Sequence, residues 1–135
     1  LVGSEMCIRD RFNPATGLCA EEVSTDMQDY PEVHFVLELI HSAGGVAVLA
    51  HPAVFDNFEL LEELAAAGKI DGVEVWHQSA TEEQRERLLK TAGEHNLITT
   101  GGSDFHGFYN HYPIAIGTNY TPDDSLQRIL KRKIK

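Results

Sequence analysis

The chain is poor in cysteine. Cys7 and Cys19 are the only two among 135 residues, and they offer neither a disulfide framework nor a C-x-x-C pair. That usage fits a protein of the reducing cytoplasm. No apolar run reaches the length of a membrane span. Basic residues are also scarce. Eleven Lys and Arg stand against 21 Asp and Glu, for a formal net charge of −10, which argues against broad adhesion to nucleic acid or to an anionic lipid surface. A phosphate substrate stays compatible with this charge if bound metal supplies the positive field. A glycine-rich P-loop is lacking, because "GGSDFHG" (Gly101–Gly107) has no Lys-Ser/Thr ending.

What is present reads as a globular domain. Hydrophobic residues make up 42% and charged residues 24%, a composition that can build one core. Seven histidines are many for this length, and they point toward chemistry.

The pattern along the chain is a repeated helix–strand cycle. "NPATG" marks a turn within the polar stretch 12–29. "PEVHFVLELIHSA" places Val33, Val36, Leu37 and Ile40 at helical spacing, with Pro31 in the first turn and Gly44-Gly45 as the stop. "VAVLA" (Val46–Ala50) reads as a buried parallel strand. "NFELLEELAAAG" (Asn57–Gly68) is an amphipathic helix, and "GVEVW" (Gly72–Trp76) a second strand. A third helix lies within Ser79–Asn96, where Thr81 and Gln84 resemble a capping box. "LITTGG" reads as a third strand, and "AIGTNY" (Ala115–Tyr120) as a further short one. "TPDDSLQRILKRKIK" forms a last helix, with acids first and bases last, matching its dipole. Repeated helix–strand units predict an α/β fold with a parallel sheet and helical crossovers.

Polar chemistry falls after each strand: His51, then His77, then Asp104 and His106. Active sites of parallel α/β proteins lie at that end of the sheet. Asp104 and His106 share one face of an extended chain. They suit a metal site, an acid–base pair or a glycine-rich polar turn. His51 is either a ligand or a strand-end histidine bonded to backbone. Imidazole with carboxylate suits zinc, manganese or iron better than calcium. Strand alternation places His77 with the valines of "VEVWH", away from Glu74 and Trp76, unless the strand has ended by then. Glu74 needs a partner within a strand, either a metal-bound histidine or a structural hydrogen bond. His34 and His41 read as solvated helix residues, and His95 as a helix C-terminal histidine beside the dipole. Arg85, Arg87, Lys90, Arg128 and Lys131 fall mostly on helix surfaces.

"GGVAVLAHP", "GVEVWH" and "GSDFHG", in this order and at these separations, resemble the PHP (polymerase and histidinol phosphatase) superfamily, in particular its small stand-alone phosphoesterases. The resemblance covers about residues 30–117. It implies a distorted seven-stranded (β/α) barrel of which residues 30–135 form the C-terminal part, about three β/α units. It also implies a cluster of up to three divalent metal ions, manganese, zinc or iron. His51, Asp104 and His106 match metal ligands of that family. His77 and His111 are then candidates for substrate contact, and Glu74 and Ser103 for support of the ligands. The activity implied is hydrolysis of a phosphate ester on a nucleotide, an RNA 5′ end or a small metabolite. No binding to long duplexes or to membranes is expected.

The chain also departs from the family. The expected H-x-H strand motif and its following ligands do not precede Tyr30, and no histidine precedes His34. "LVGSEMCIRDR" (Leu1–Arg11) resembles the conceptual translation of a transposase-type sequencing adapter. Removing it takes away Glu5, Asp10, Arg9 and Arg11, which leaves the net charge at −10. Residues 12–29 then read as the tail of an inserted segment or a linker. The expectation is a C-terminal piece of a longer enzyme, itself inactive and poorly stable because of an unpaired strand edge. A degenerate PHP-like binding or regulatory domain is the alternative. An unrelated nucleotide-binding α/β fold would need a glycine loop after "VAVLA", where "HPAVF" stands instead.

Overall fold

A computed structural model describes residues 31–105 and 114–132. The chain divides into two compact units. The one treated below comprises Val33–Phe105 and Ile114–Lys135; of the other, only Pro31 and Glu32 are among the described residues.

The unit is built from four described helices and three strands: α1 (Val33–Ser42), β1 (Val48–Leu49), α2 (Phe58–Ala66), β2 (Gly72–Trp76), α3 (Glu82–Glu94), β3 (Ile98–Gly101) and α4 (Asp123–Arg132). The strands form one parallel sheet in the order β1-β2-β3. Val48 pairs with Gly72, and Gly72 in turn with Ile98. The α/β reading with helical crossovers therefore holds for this unit.

β2 is the central strand. Val73 and Val75 are wholly buried on one face, while Glu74 and Trp76 on the other are half-buried. Leu61 and Leu64 of α2 and Leu88 of α3 complete the core with Phe58, Ala65 and Ala92. Their spacing along each helix is the three-to-four-residue repeat that puts side chains on one face. Arg87 of α3 lies over the Phe58 ring, 4.4 Å from its centroid, and pairs with Glu62 at 2.7 Å. It ties α3 to α2 rather than standing free on a helix surface.

The start of α3 follows its sequence signature. Gln84 N–H donates to Thr81 Oγ1 at 3.2 Å, and Thr81 N–H donates to Gln84 Oε1 at 2.9 Å. Glu82 and Glu83 occupy the first turn, where carboxylates favour the positive helix end. α4 docks on β3 by polar contacts: Arg128 donates to the carbonyls of Leu97 (3.0 Å) and Asn96 (2.8 Å), and Thr99 Oγ1 lies 3.2 Å from Ser125 Oγ.

Three sequence expectations need correction. Pro31 precedes α1 instead of sitting in its first turn. The run "VAVLA" contributes only Val48 and Leu49 to the sheet, because the Ala47 N–H is taken by the Asp71 side chain at 2.8 Å. "AIGTNY" is a turn, not a strand. Gly117 has φ +88°, a conformation strands do not use, and Thr118 folds back on the Ala115 carbonyl through its N–H (3.2 Å) and hydroxyl (2.7 Å). Among the described residues, no helix is long and apolar enough to cross a membrane.

Candidate metal centre

The C-terminal ends of β1, β2 and β3 lie side by side because the sheet is parallel. His51 follows β1 after Ala50, His77 directly follows β2, and Asp104 stands three residues past β3. His51 and Asp104 both adopt positive φ, +29° and +48°. Neither is glycine, and left-handed backbone at non-glycine residues concentrates at functional sites.

His51 is 8% exposed. Its backbone N–H donates to Glu74 Oε2 at 2.8 Å. Its ring lies 5.4 Å from the His77 ring and 5.8 Å from Phe55. Among the described residues the buried Nδ1 of His51 has no hydrogen-bond partner, an arrangement that is costly unless a ligand takes the lone pair or proton.

His77 is 2% exposed and engaged at both ring nitrogens. The Ser79 N–H donates to Nδ1 at 3.2 Å, and Nε2 lies 3.3 Å from Asp104 Oδ2. An Nδ1 that accepts a backbone N–H carries no proton, so the proton sits on Nε2 and is donated to Asp104. Strand alternation does not reach His77. β2 ends at Trp76, and the His77 N–H turns back to the Val75 carbonyl at 3.2 Å.

Gly101 permits this convergence. A Cβ there would lie 2.7 Å from Trp76 Cβ, 2.8 Å from the Tyr120 carbonyl and 2.9 Å from the Trp76 carbonyl. The Thr121 hydroxyl then closes on Gly101, accepting its N–H at 3.1 Å and donating to its carbonyl at 3.0 Å. Ser103 points its hydroxyl the other way. It accepts the Gly117 N–H at 2.8 Å and donates to the Asn119 carbonyl at 3.4 Å, anchoring the 115–119 turn beside Asp104.

The structure therefore joins His51, His77, Asp104 and Glu74 in one contiguous group. His106 and His111 lie outside the described residues. Glu74 acts on His51 through its backbone amide and not through its ring. Three further participants had not been singled out for the site. Phe55 is 63% exposed beside His51. Ser79 acts through its main chain, which no side-chain pattern announces. Arg85 reaches the His77 carbonyl at 3.5 Å, and its buried Nε has no partner among the described residues. A helix side chain leans toward its own N-terminus, so a residue in the first turn of α3 points back at the end of β2. The helix histidines lie apart from this group: His41 is exposed but bonds Asp71 at 3.0 Å, and His95 caps the C-terminus of α3.

Among the described residues, no three His, Cys, Asp or Glu side chains come together as a metal cage. The donor types nevertheless fit a divalent ion. His51 offers a buried imidazole with a nitrogen that has no partner among the described residues, and Asp104 a carboxylate that a buried histidine contacts, the outer arrangement metal ligands commonly have.

Comparison with known proteins agrees with this chemistry. The chain is similar to a phosphoribosyl 1,2-cyclic phosphate 1,2-diphosphodiesterase of Eggerthella lenta, 33% identical over 97 residues, which are 72% of this chain and 35% of that protein. It is also similar to a 5′-3′ exoribonuclease of Haemophilus influenzae, 34% identical over 83 residues, covering 58% of this chain and 30% of the relative. A crystal structure assigned as a metal-dependent phosphoesterase from Bifidobacterium adolescentis superposes with a TM-score of 0.64 at 41% identity, over 84% of this chain and 42% of that one. No family model matches. The chain spans about a third of the length of these curated relatives. By name, all three proteins act on phosphate esters, and they support the PHP-type resemblance read from the strand-end motifs.

Proposed function

We propose that the chain is the C-terminal part of a PHP-type, metal-dependent phosphoesterase that hydrolyses a phosphate ester of a nucleotide, an RNA 5′ end or a small phosphorylated metabolite. The observation that carries this reading is the buried Nδ1 of His51, without a partner among the described residues and set beside the His77–Asp104 pair at the ends of three parallel strands. The fold then belongs to a (β/α) barrel. His51, Asp104 and His106 would hold divalent ions, with manganese, zinc and iron suited to the donor set. When bound, such ions neutralise phosphate charge and make a water acidic enough to attack phosphorus.

The chain's own residues prepare that site. Glu74 holds the His51 backbone in its left-handed turn, which presents the ring at the sheet end. Gly101 lets the β3 end approach Trp76, which sets Asp104 against His77. Burial of His51 and His77 keeps bulk water from competing for their nitrogens. His111 is the remaining candidate for contact with the substrate. An acidic chain repels a phosphate ester, and bound cations offset that repulsion. The names of the relatives leave the non-catalytic alternative with no observation in its favour.

The test uses the whole protein that carries this chain. It is assayed with manganese on a generic phosphodiester and on a 5′-phosphorylated RNA oligonucleotide. Asp104→Ala and His51→Ala are expected to lower kcat/KM by more than ~100-fold, since even the outer partners of metal ligands are worth roughly 10–100-fold. Wild-type rates in Asp104→Ala would overturn the reading.

A further inference from the structure

We propose that His77 is a positioning residue: it neither ligates metal nor touches substrate, but holds Asp104 in its binding orientation through a fixed Nε2–H tautomer. This rests on the reading of Asp104 as a metal ligand.

Three observations carry it. His77 is 2% exposed, so its ring has little access to an incoming substrate. Its Nδ1 accepts the Ser79 N–H at 3.2 Å, which leaves Nε2 as the nitrogen that donates. The Nε2 proton is directed at Asp104 Oδ2, 3.3 Å away. A nitrogen that carries a proton donated to a carboxylate has no lone pair to offer a metal ion. The backbone of Ser79 thereby decides the role of a side chain two residues earlier. The Ala80 N–H bonds the His77 carbonyl at 3.1 Å, and Arg85 approaches the same oxygen. The main chain of 77–80 is thus tied into a turn that keeps the Ser79 N–H in place.

The consequence for Asp104 is directional. Its backbone is left-handed, at φ +48°. A donor held at Oδ2 restrains the rotation of the carboxylate. Outer-sphere partners of this kind change metal affinity by roughly 10–100-fold.

The experiment measures manganese binding to the whole protein by calorimetry, without substrate, for the wild type, Asp104→Asn, His77→Phe and His77→Gln. Phe keeps the buried ring volume without a donor, and Gln restores an N–H near the position of Nε2. The expected result is manganese affinity weakened about tenfold or more in His77→Phe and largely recovered in His77→Gln. Ring nitrogen shifts of the wild type should show His77 as the neutral Nε2–H tautomer. Unfolding midpoints report folding separately. If His77→Phe does not fold, the comparison of Gln with wild type and the tautomer decide the matter. Unchanged affinity in the His77 variants, with affinity lost in Asp104→Asn, overturns this inference alone. Unchanged affinity in Asp104→Asn overturns the metal-site reading itself. An Nδ1–H tautomer also overturns the positioning role.

Discussion

The His51 backbone N–H donates to Glu74 Oε2 at 2.8 Å, joining the end of β1 to the middle of β2. The bond spans 23 residues of sequence and secures a turn whose φ is +29°. Glu74 is half-buried, so losing its carboxylate leaves a shielded amide without an acceptor. Glu74→Ala is expected to cost about 1–3 kcal/mol. Glu74→Gln should recover most of that, because its amide oxygen still accepts. Urea denaturation at an unchanged m-value measures both.

Two glycine substitutions should act in opposite directions. Gly101→Ala places a methyl 2.7–2.9 Å from Trp76 Cβ and two backbone carbonyls, which cannot rotate away. About 1–3 kcal/mol of destabilisation is expected. Gly93 lies within α3 with nothing within 4 Å of an added Cβ. Gly93→Ala should therefore stabilise by roughly 0.5–1 kcal/mol. Thermal unfolding of the two variants side by side decides whether space governs the sign.

Removing the α3 cap with Thr81→Ala should cost about 1 kcal/mol, because it strips the Gln84 N–H of its acceptor. Thr81→Ser keeps the oxygen and should lie near the wild type. Faster amide exchange confined to residues 82–85 would mark the effect as local fraying.

Asp71 gathers three donors at the opposite end of the sheet from the candidate metal centre: the Ala47 N–H at 2.8 Å, His41 Nε2 at 3.0 Å, and Arg132. It links α1, the residue just before β1, and α4. Asp71→Ala should cost about 1–3 kcal/mol, chiefly from the unpaired Ala47 amide. Arg132→Ala breaks an ion pair on a half-exposed arginine, 42% exposed at its side chain, and should cost under about 1 kcal/mol. A double-mutant cycle separates the two contributions.

Much of this was legible in the sequence. Apolar spacing in "VHFVLELI" and "FELLEELAA" marked two helices, and T-x-x-Q marked the start of a third. The order His51, His77, Asp104 at successive strand ends marked the site. Illegible were features set by main-chain groups or by residues distant in sequence. Ser79 reaches His77 with its N–H, which every residue except proline carries. The fate of "AIGTNY" hung on the φ of Gly117 and on Ser103, fourteen residues earlier. Arg128 reads as a surface helix residue until α4 is laid against the carbonyls of Asn96 and Leu97.

By itself the sequence determined the four helices, the order of the three strands and that histidines and an aspartate follow those strands, because periodicity, caps and strand ends are local properties of the chain. Only the tertiary structure decided what each polar group does there. Packing β2 between β1 and β3 left the His51 Nδ1 buried without a partner among the described residues, brought His77 Nε2 to Asp104, and turned Glu74 to a backbone amide. Hydrogen-bond roles depend on positions to a few tenths of an ångström, and those are set by the three-dimensional meeting of distant segments.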